Sequence, residues 1–139
     1  MSQIGIKVDT SAVNKVLDAL DKRRNTRQLL DNIGSAMRAD ARLNFRASAA
    51  PDGTPWAPLK HRTGKPLVDT GILRNSIDYR VIGDTAVEIG TNVIYARAQQ
   101  YGRKEINLPA RQFIGIADRQ VNKINKLLKA WGDELMAGL

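Results

Sequence analysis

Between Val87 and Ile116 the chain changes its hydrophobic period several times, and any fold must absorb those changes in one place. The stretch reads VEIGTNVIYARAQQYGRKEINLPARQFIGI. Val87 and Ile89 alternate with Glu88, the period of a strand. Tyr95, Ala98 and Tyr101 are spaced three apart, as on one face of a helical turn, and Gly102 stands where a C′ glycine would end it. Arg103, Lys104 and Glu105 follow as a charged tongue, expected to project over 103–108. Pro109 blocks backward continuation of a helix, and Phe113, Ile114 and Ile116 drive the chain back onto a core. The pattern is that of a frame holding out a loop, with no arrangement for bond-making chemistry.

The length of 139 residues suits a single domain over 1–139, with 1–28 readable as an N-terminal arm. There is no cysteine, which excludes disulfides and thiolate metal sites and fits folding in a cytoplasm. No apolar run approaches the ~20 residues of a membrane span, and MSQIGIKVD carries no signal-peptide pattern, so a soluble chain without membrane partners is expected. The net charge is +8. Residues 1–66 hold 12 Lys/Arg against 6 Asp/Glu, and residues 67–139 hold 10 against 8, so the excess lies in the first half. Such a balance favours anionic partners through long-range steering.

In chain order, Ile4, Ile6 and Val8 alternate as a short strand over 3–8, and Val13, Val16, Leu17 and Leu20 form a helical stripe. A second helix is expected over Arg27–Arg46, with Leu30, Ile33, Met37, Ala41 and Phe45 inward. Gly34 within it either permits a close helix crossing or is tolerated at ~1 kcal/mol relative to Ala. Arg38, Arg42 and Arg46 repeat every fourth residue, either a solvated face or a DNA contact.

Residues 47–66 form an extended loop with four of the five prolines. Trp56 in its middle either folds back as a lid on its own core or anchors in a partner subunit. On the second reading Trp56, Pro58, Leu59, His61 and Arg62 are interface candidates, and Trp56→Ala would leave the monomer folded. His61 is the only histidine, and its neighbours Lys60 and Arg62 disfavour a metal there. GILRNSI is a short helix capped by Asp69 or Thr70, with Leu73 and Ile72 inward. Ile77, Tyr79 and Val81 alternate, Gly83-Asp84 is a two-residue turn, and Thr85 to Ile89 returns as the second strand of a hairpin. The last helix, from about Ala117, shows a seam of Val121, Ile124, Leu128, Trp131 and Leu135 widened by Leu127, for its own domain or for a neighbour. The expected fold class is α+β: a small antiparallel sheet with a β-hairpin packed against two or three long helices, plus the long Pro/Gly-rich loop.

Four fragments in order carry a resemblance: Phe45 with PDGTPWAPL (51–59), LVDTGILRNSI (67–77), VEIGTNVIYARAQQYG (87–102) and LPARQFIGI (108–116). Together they resemble the Mu-type phage virion morphogenesis, or tail completion, proteins, from roughly Leu29 onward. This chain has Gln99 where the family often has His, and Gln112 where it often has a second Pro. The resemblance implies a non-enzymatic virion component without cofactors. It implies assembly in the host cytoplasm and a place at the neck or tail top, touching neck, portal-adaptor or tail-terminator proteins. It also implies a homo-oligomeric ring, with a hexamer favoured, around the DNA channel. Tyr95, Tyr101, Arg103 and Lys104 join the loop residues as candidate subunit contacts. The competing reading is a nonspecific nucleic-acid-binding protein using the basic helix face. An enzyme ranks below both, because no nucleophile elbow or phosphate loop surrounds Ser76, His61 or Asp69.

Overall fold

The alternation around Val87 and Ile89 becomes the central strand of a three-stranded antiparallel sheet. The computed structural model describes residues 4–12, 14–15, 26–59 and 71–137. Strands β1 (Ile4–Asp9) and β2 (Asp78–Ile82) flank β3 (Ala86–Thr91), in the order β1-β3-β2. Four helices accompany the sheet among the described residues: α1 (Thr26–Ala47), α2 (Ile72–Ser76), α3 (Ala96–Tyr101) and α4 (Asp118–Ala137). The architecture is therefore α+β, as expected. The stripe Val13, Val16, Leu17 and Leu20 lies outside the described residues, although Ser11, Ala12, Asn14 and Lys15 are helical.

Register sorts the side chains. Ile6, Ile89 and Tyr79 stand opposite one another across the three strands, and so do Val8, Val87 and Val81. These rows share the face that α1 covers, with Val87 and Ile89 fully buried. The intervening row, Lys7, Glu88 and Arg80, lies on the other face and places a carboxylate between two cations, Arg80 Nε standing 3.5 Å from Glu88 Oε1. Ile82 pairs with Ala86, so the hairpin loop is Gly83-Asp84-Thr85 rather than the expected two-residue turn. The Thr85 carbonyl turns to the end of β1, accepting from both the backbone and the hydroxyl of Thr10, while Asn14 Nδ2 donates to Asp84 O at 2.8 Å. The N-terminal segment is thereby tied to the hairpin tip.

Helix α1 forms where its 3.6-residue stripe predicts, and Leu30, Ile33, Met37, Ala41 and Phe45 are all buried. Gly34 permits a close approach of helix to sheet, not helix to helix: a Cβ built there would lie 2.3 Å from Tyr79 Cδ2. The Tyr79 ring is held in place. Its hydroxyl donates to Asp31 Oδ1 at 2.8 Å, which raises the phenol above its ordinary pKa. Arg38 sits 4.8 Å over the ring centroid and pairs with Asp78 at 2.8 Å.

In α2, Leu73 is buried, but Ile72 faces outward, because a helix of five residues can turn only one side to the core. Its expected caps, Asp69 and Thr70, lie outside the described residues, and Gly71 with φ 78° precedes it. Helix α4 lies on α1. Ile124, Leu127, Leu128 and Trp131 pack against the core while staying half-exposed, and Val121 turns outward. Arg119 and Gln120 lock its first turn to Asp40 of α1 at 2.9 and 2.7 Å.

Gly34→Ala tests the close approach. The helix gains ~1 kcal/mol in propensity, whereas overpacking costs ~1–3 kcal/mol. The ring is braced on both sides, so the clash should dominate and urea unfolding should show a loss of ~1–2 kcal/mol. A stabilised variant would refute the packing described.

Candidate functional site

The stretch from Thr91 to Ala117 leaves the sheet, makes one short helix and a loop, and returns through the core without regular secondary structure. A buried segment outside helix and sheet must satisfy its backbone groups in some other way. Here side chains do it. Gln100, buried on α3, donates from Nε2 to Ile114 O at 2.7 Å, and its Oε1 accepts from the N–H groups of Phe113 and Ile114 at 3.0 and 3.3 Å. Asn44 of α1 donates to Phe113 O at 2.9 Å. Gln120 accepts from Ala117 N at 2.8 Å and donates to Pro51 O at 3.1 Å.

The same segment receives the Trp56 loop. Trp56 is only 7% exposed, and its Nε1 donates to Gln112 O at 2.8 Å. Its ring meets Phe45 edge-on at 5.5 Å, and Phe45 meets Phe113 at 5.5 Å. Trp56 therefore closes over its own core, and the reading of it as an exposed anchor for a partner gives way. The physical reason is that Phe45 and Phe113 present an apolar site and Gln112 an acceptor for the indole N–H. Arg111 fastens the loop further along, donating to Ala57 O at 2.9 Å and Pro58 O at 3.0 Å. Within the loop, Ala49 and Pro55 form a bridge, and Ala50 N donates to Thr54 O at 2.8 Å, so residues 48–56 make a closed turn rather than an open excursion. Leu59 is half-buried and Pro58 exposed; His61 and Arg62 lie outside the described residues.

On this fastened base stand α3 and the tongue. The buried side of α3 is Ala96 and Gln100, not the line of Tyr95, Ala98 and Tyr101. Both tyrosines consequently face outward, Tyr101 at 66% exposure. Gly102 ends the helix with φ 74°, and a Cβ there would meet Leu108 O at 2.7 Å, so only glycine fits. The tongue is closed by reciprocal bonds between Arg103 and Leu108, each 2.9 Å. Lys104 to Ile106 make one 3-10 turn, and Asn107 takes a left-handed conformation at its end. Ile94 and Ile106 are 85% and 61% exposed. The result is an apolar, aromatic and basic surface of Ile94, Tyr95, Tyr101, Arg103, Lys104 and Ile106 carried on a short, pinned support. Among the described residues no cluster of His, Cys, Asp or Glu could hold a metal ion, and no helix is long and apolar enough to cross a membrane.

The sequence matches the phage virion morphogenesis family over residues 8–131. The chain belongs to that family. The matched span begins within β1, earlier than the resemblance read from Leu29. The chain is also similar to Mu-like prophage FluMu G protein 2 of Haemophilus influenzae, 34% identical over 110 residues, covering 76% of this chain and 75% of the relative. No solved structure matches significantly. As a virion morphogenesis protein the chain has a structural role in a phage particle. In this family member the buried polar residues Asn44, Gln100, Arg111 and Gln120 organise the site, and the sequence reading passed over all four. One signal was present: Gln100 falls four residues after Ala96, on the side of α3 that turns inward.

Trp56→Ala should destabilise the isolated domain by ~3–5 kcal/mol, as removal of a buried aromatic does, measured by urea unfolding. Retention of wild-type stability would restore the anchor reading. Gln100→Leu keeps the volume but strands the N–H groups of Phe113 and Ile114, each worth ~1–3 kcal/mol if buried unpaired, while Ile114 O keeps its bond from Gln112 Nε2. It should lower the unfolding midpoint and speed amide exchange at Phe113 and Ile114, and unchanged exchange there would show that the clamp is dispensable.

Proposed function

We propose that this protein completes the tail at the head–tail junction, assembling with copies of itself as a ring around the DNA channel. The observation that supports this most is the exposed apolar and aromatic surface on α3 and the tongue. Isolated exposed apolar residues are ordinary, but Ile94, Tyr95, Tyr101 and Ile106 fall within one short stretch. They sit on a support tied down by backbone hydrogen bonds, with Gly102 N donating to Ala98 O and Arg111 N to Gln99 O. A pre-ordered surface loses little conformational entropy on docking. Aromatic residues with flanking arginine are the usual composition of an interface centre.

A closed ring uses head-to-tail contacts, in which one patch meets a different patch on the neighbour. The tongue is the projecting half of such a contact. The Trp56 loop, being fastened to the core, contributes through its exposed rim at Pro58. Neck, portal-adaptor or tail-terminator proteins are the expected neighbours along the axis, the virion neck is the expected location, and the host cytoplasm is the site of assembly.

The test is Tyr101→Ala combined with Ile106→Ser. Both side chains are exposed, so unfolding stability should change by less than ~0.5 kcal/mol. Complementation of a phage lacking the protein should fall by at least tenfold, and purified tails should lack the variant by mass spectrometry. Normal incorporation and titre would remove the α3–tongue surface from the interface.

A further inference from the structure

Arg38, Arg42 and Arg46 form too small a stripe to argue for a polyanion by themselves, but the fold does not leave them by themselves. They line a groove of about 640 Å³ beside α1, and Arg74 of α2 joins them there. A second groove, on the α4 side of α1, is lined by Arg119, Lys123 and Lys126. The two grooves share Ser35, Ala39 and Leu43, which stand one turn apart along α1. One helical ridge of two small residues and a leucine thus runs between two rows of cations. Among the described residues lining either groove the one carboxylate is Asp40, on the α4 side, and it is engaged by Arg119 and Gln120. Asp78 similarly engages Arg38 from the edge.

We infer that this face, built from α1, α2 and the first turns of α4, binds the phosphodiester backbone of duplex DNA without regard to sequence. The inference rests on the reading above only in that a ring around a channel would bring DNA to it. Three features favour DNA over an acidic protein. The cations come from three helices and surround the ridge, which suits a wide, uniformly charged ligand. Arg38, Arg42 and Arg46 recur about every 6 Å along the helix, one contact per turn. The ridge offers Leu43 alone as an exposed large apolar residue, whereas a protein interface has an apolar centre and few charges in it. Among the described residues the face holds no aromatic platform for stacking unpaired bases, because the Tyr79 ring is already covered by Arg38 and Gly34. Contacts limited to phosphates carry no sequence information, which suits a structural component that must accept any genome segment.

The experiment is fluorescence anisotropy of a labelled random-sequence duplex with the full chain, titrated in NaCl from about 50 to about 200 mM. The face variant is Arg42→Gln, Lys123→Gln, Lys126→Gln. The control, with the same loss of charge, is Lys7→Gln, Lys15→Gln, Arg80→Gln. Each phosphate contact contributes about 0.9 to the slope of log K against log salt, so the face variant should lose about 2 to 3 from that slope while the control keeps it. Urea midpoints confirm that both variants are folded. Equal loss in both variants would show a net-charge effect, and wild-type behaviour of the face variant would place DNA elsewhere; either overturns the inference. So would binding of polyglutamate as tight as that of DNA, which would point to an acidic protein. Incorporation of the face variant into tails is scored separately, so the tail-completion reading can survive a failure here, and this inference can survive a failure there.

Discussion

The fold depends on how the backbone of residues 111–117 is satisfied. This segment crosses the core without a strand beside it, and an unpaired buried N–H or C=O costs about as much as a lost hydrogen bond. Trp56, Gln100, Asn44 and Gln120 supply the partners from four different parts of the chain. Each of those side chains is thereby fixed as well. The clamp holds α3 over the segment, α4 against α1, and the loop after α1 on the aromatic cluster of Phe45, Trp56 and Phe113. Remove the segment and those elements lose their common support.

This arrangement explains why a small α+β domain can project a firm surface. The sheet is only three strands wide, and α3 is six residues long. Neither would hold an isolated helical turn in one orientation, since short helices are marginal without tertiary packing. Gln100 and Arg111 anchor it from beneath, Gly102 lets the chain reverse closely, and the Arg103–Leu108 bridge closes the tongue. The exposed tyrosines and isoleucines are carried outward on that base. A firm surface of this kind is what the docking role proposed for it requires.

Charge is distributed by the same packing. On the outer face of the sheet, Lys7, Glu88 and Arg80 alternate in sign, which leaves little net field and discourages pairing along the edges. Around α1 the acids that fall near the arginines are consumed by specific pairs, Asp78 with Arg38 and Asp40 with Arg119. The cations of α1, α2 and α4 are brought side by side by this packing, and a stripe that looks ordinary in sequence becomes one side of a broad basic face.

The sequence by itself determined the elements whose signal is local. The periodicity of α1 placed its buried residues, alternation placed β2 and β3, and the order of four short motifs indicated the family. Local signal also misled where the deciding partner was remote. Tyr95, Ala98 and Tyr101 share a helical spacing, yet Ala96 and Gln100 turn inward, because the backbone of 113–114 needs an amide and not a phenol. The hairpin loop has a third residue, Thr85, whose carbonyl is bonded to Thr10, 75 residues away, a partner no local turn signal names. Trp56 could be read as lid or as anchor until Phe45, Phe113 and the Gln112 carbonyl were brought beside it. The cations of α4 could not be joined to those of α1 before the two helices were packed. Periodicity reports which side of an element is buried, but not what lies across from it; hydrogen-bond partners and summed charge are properties of that opposite side, and only the tertiary structure decides them.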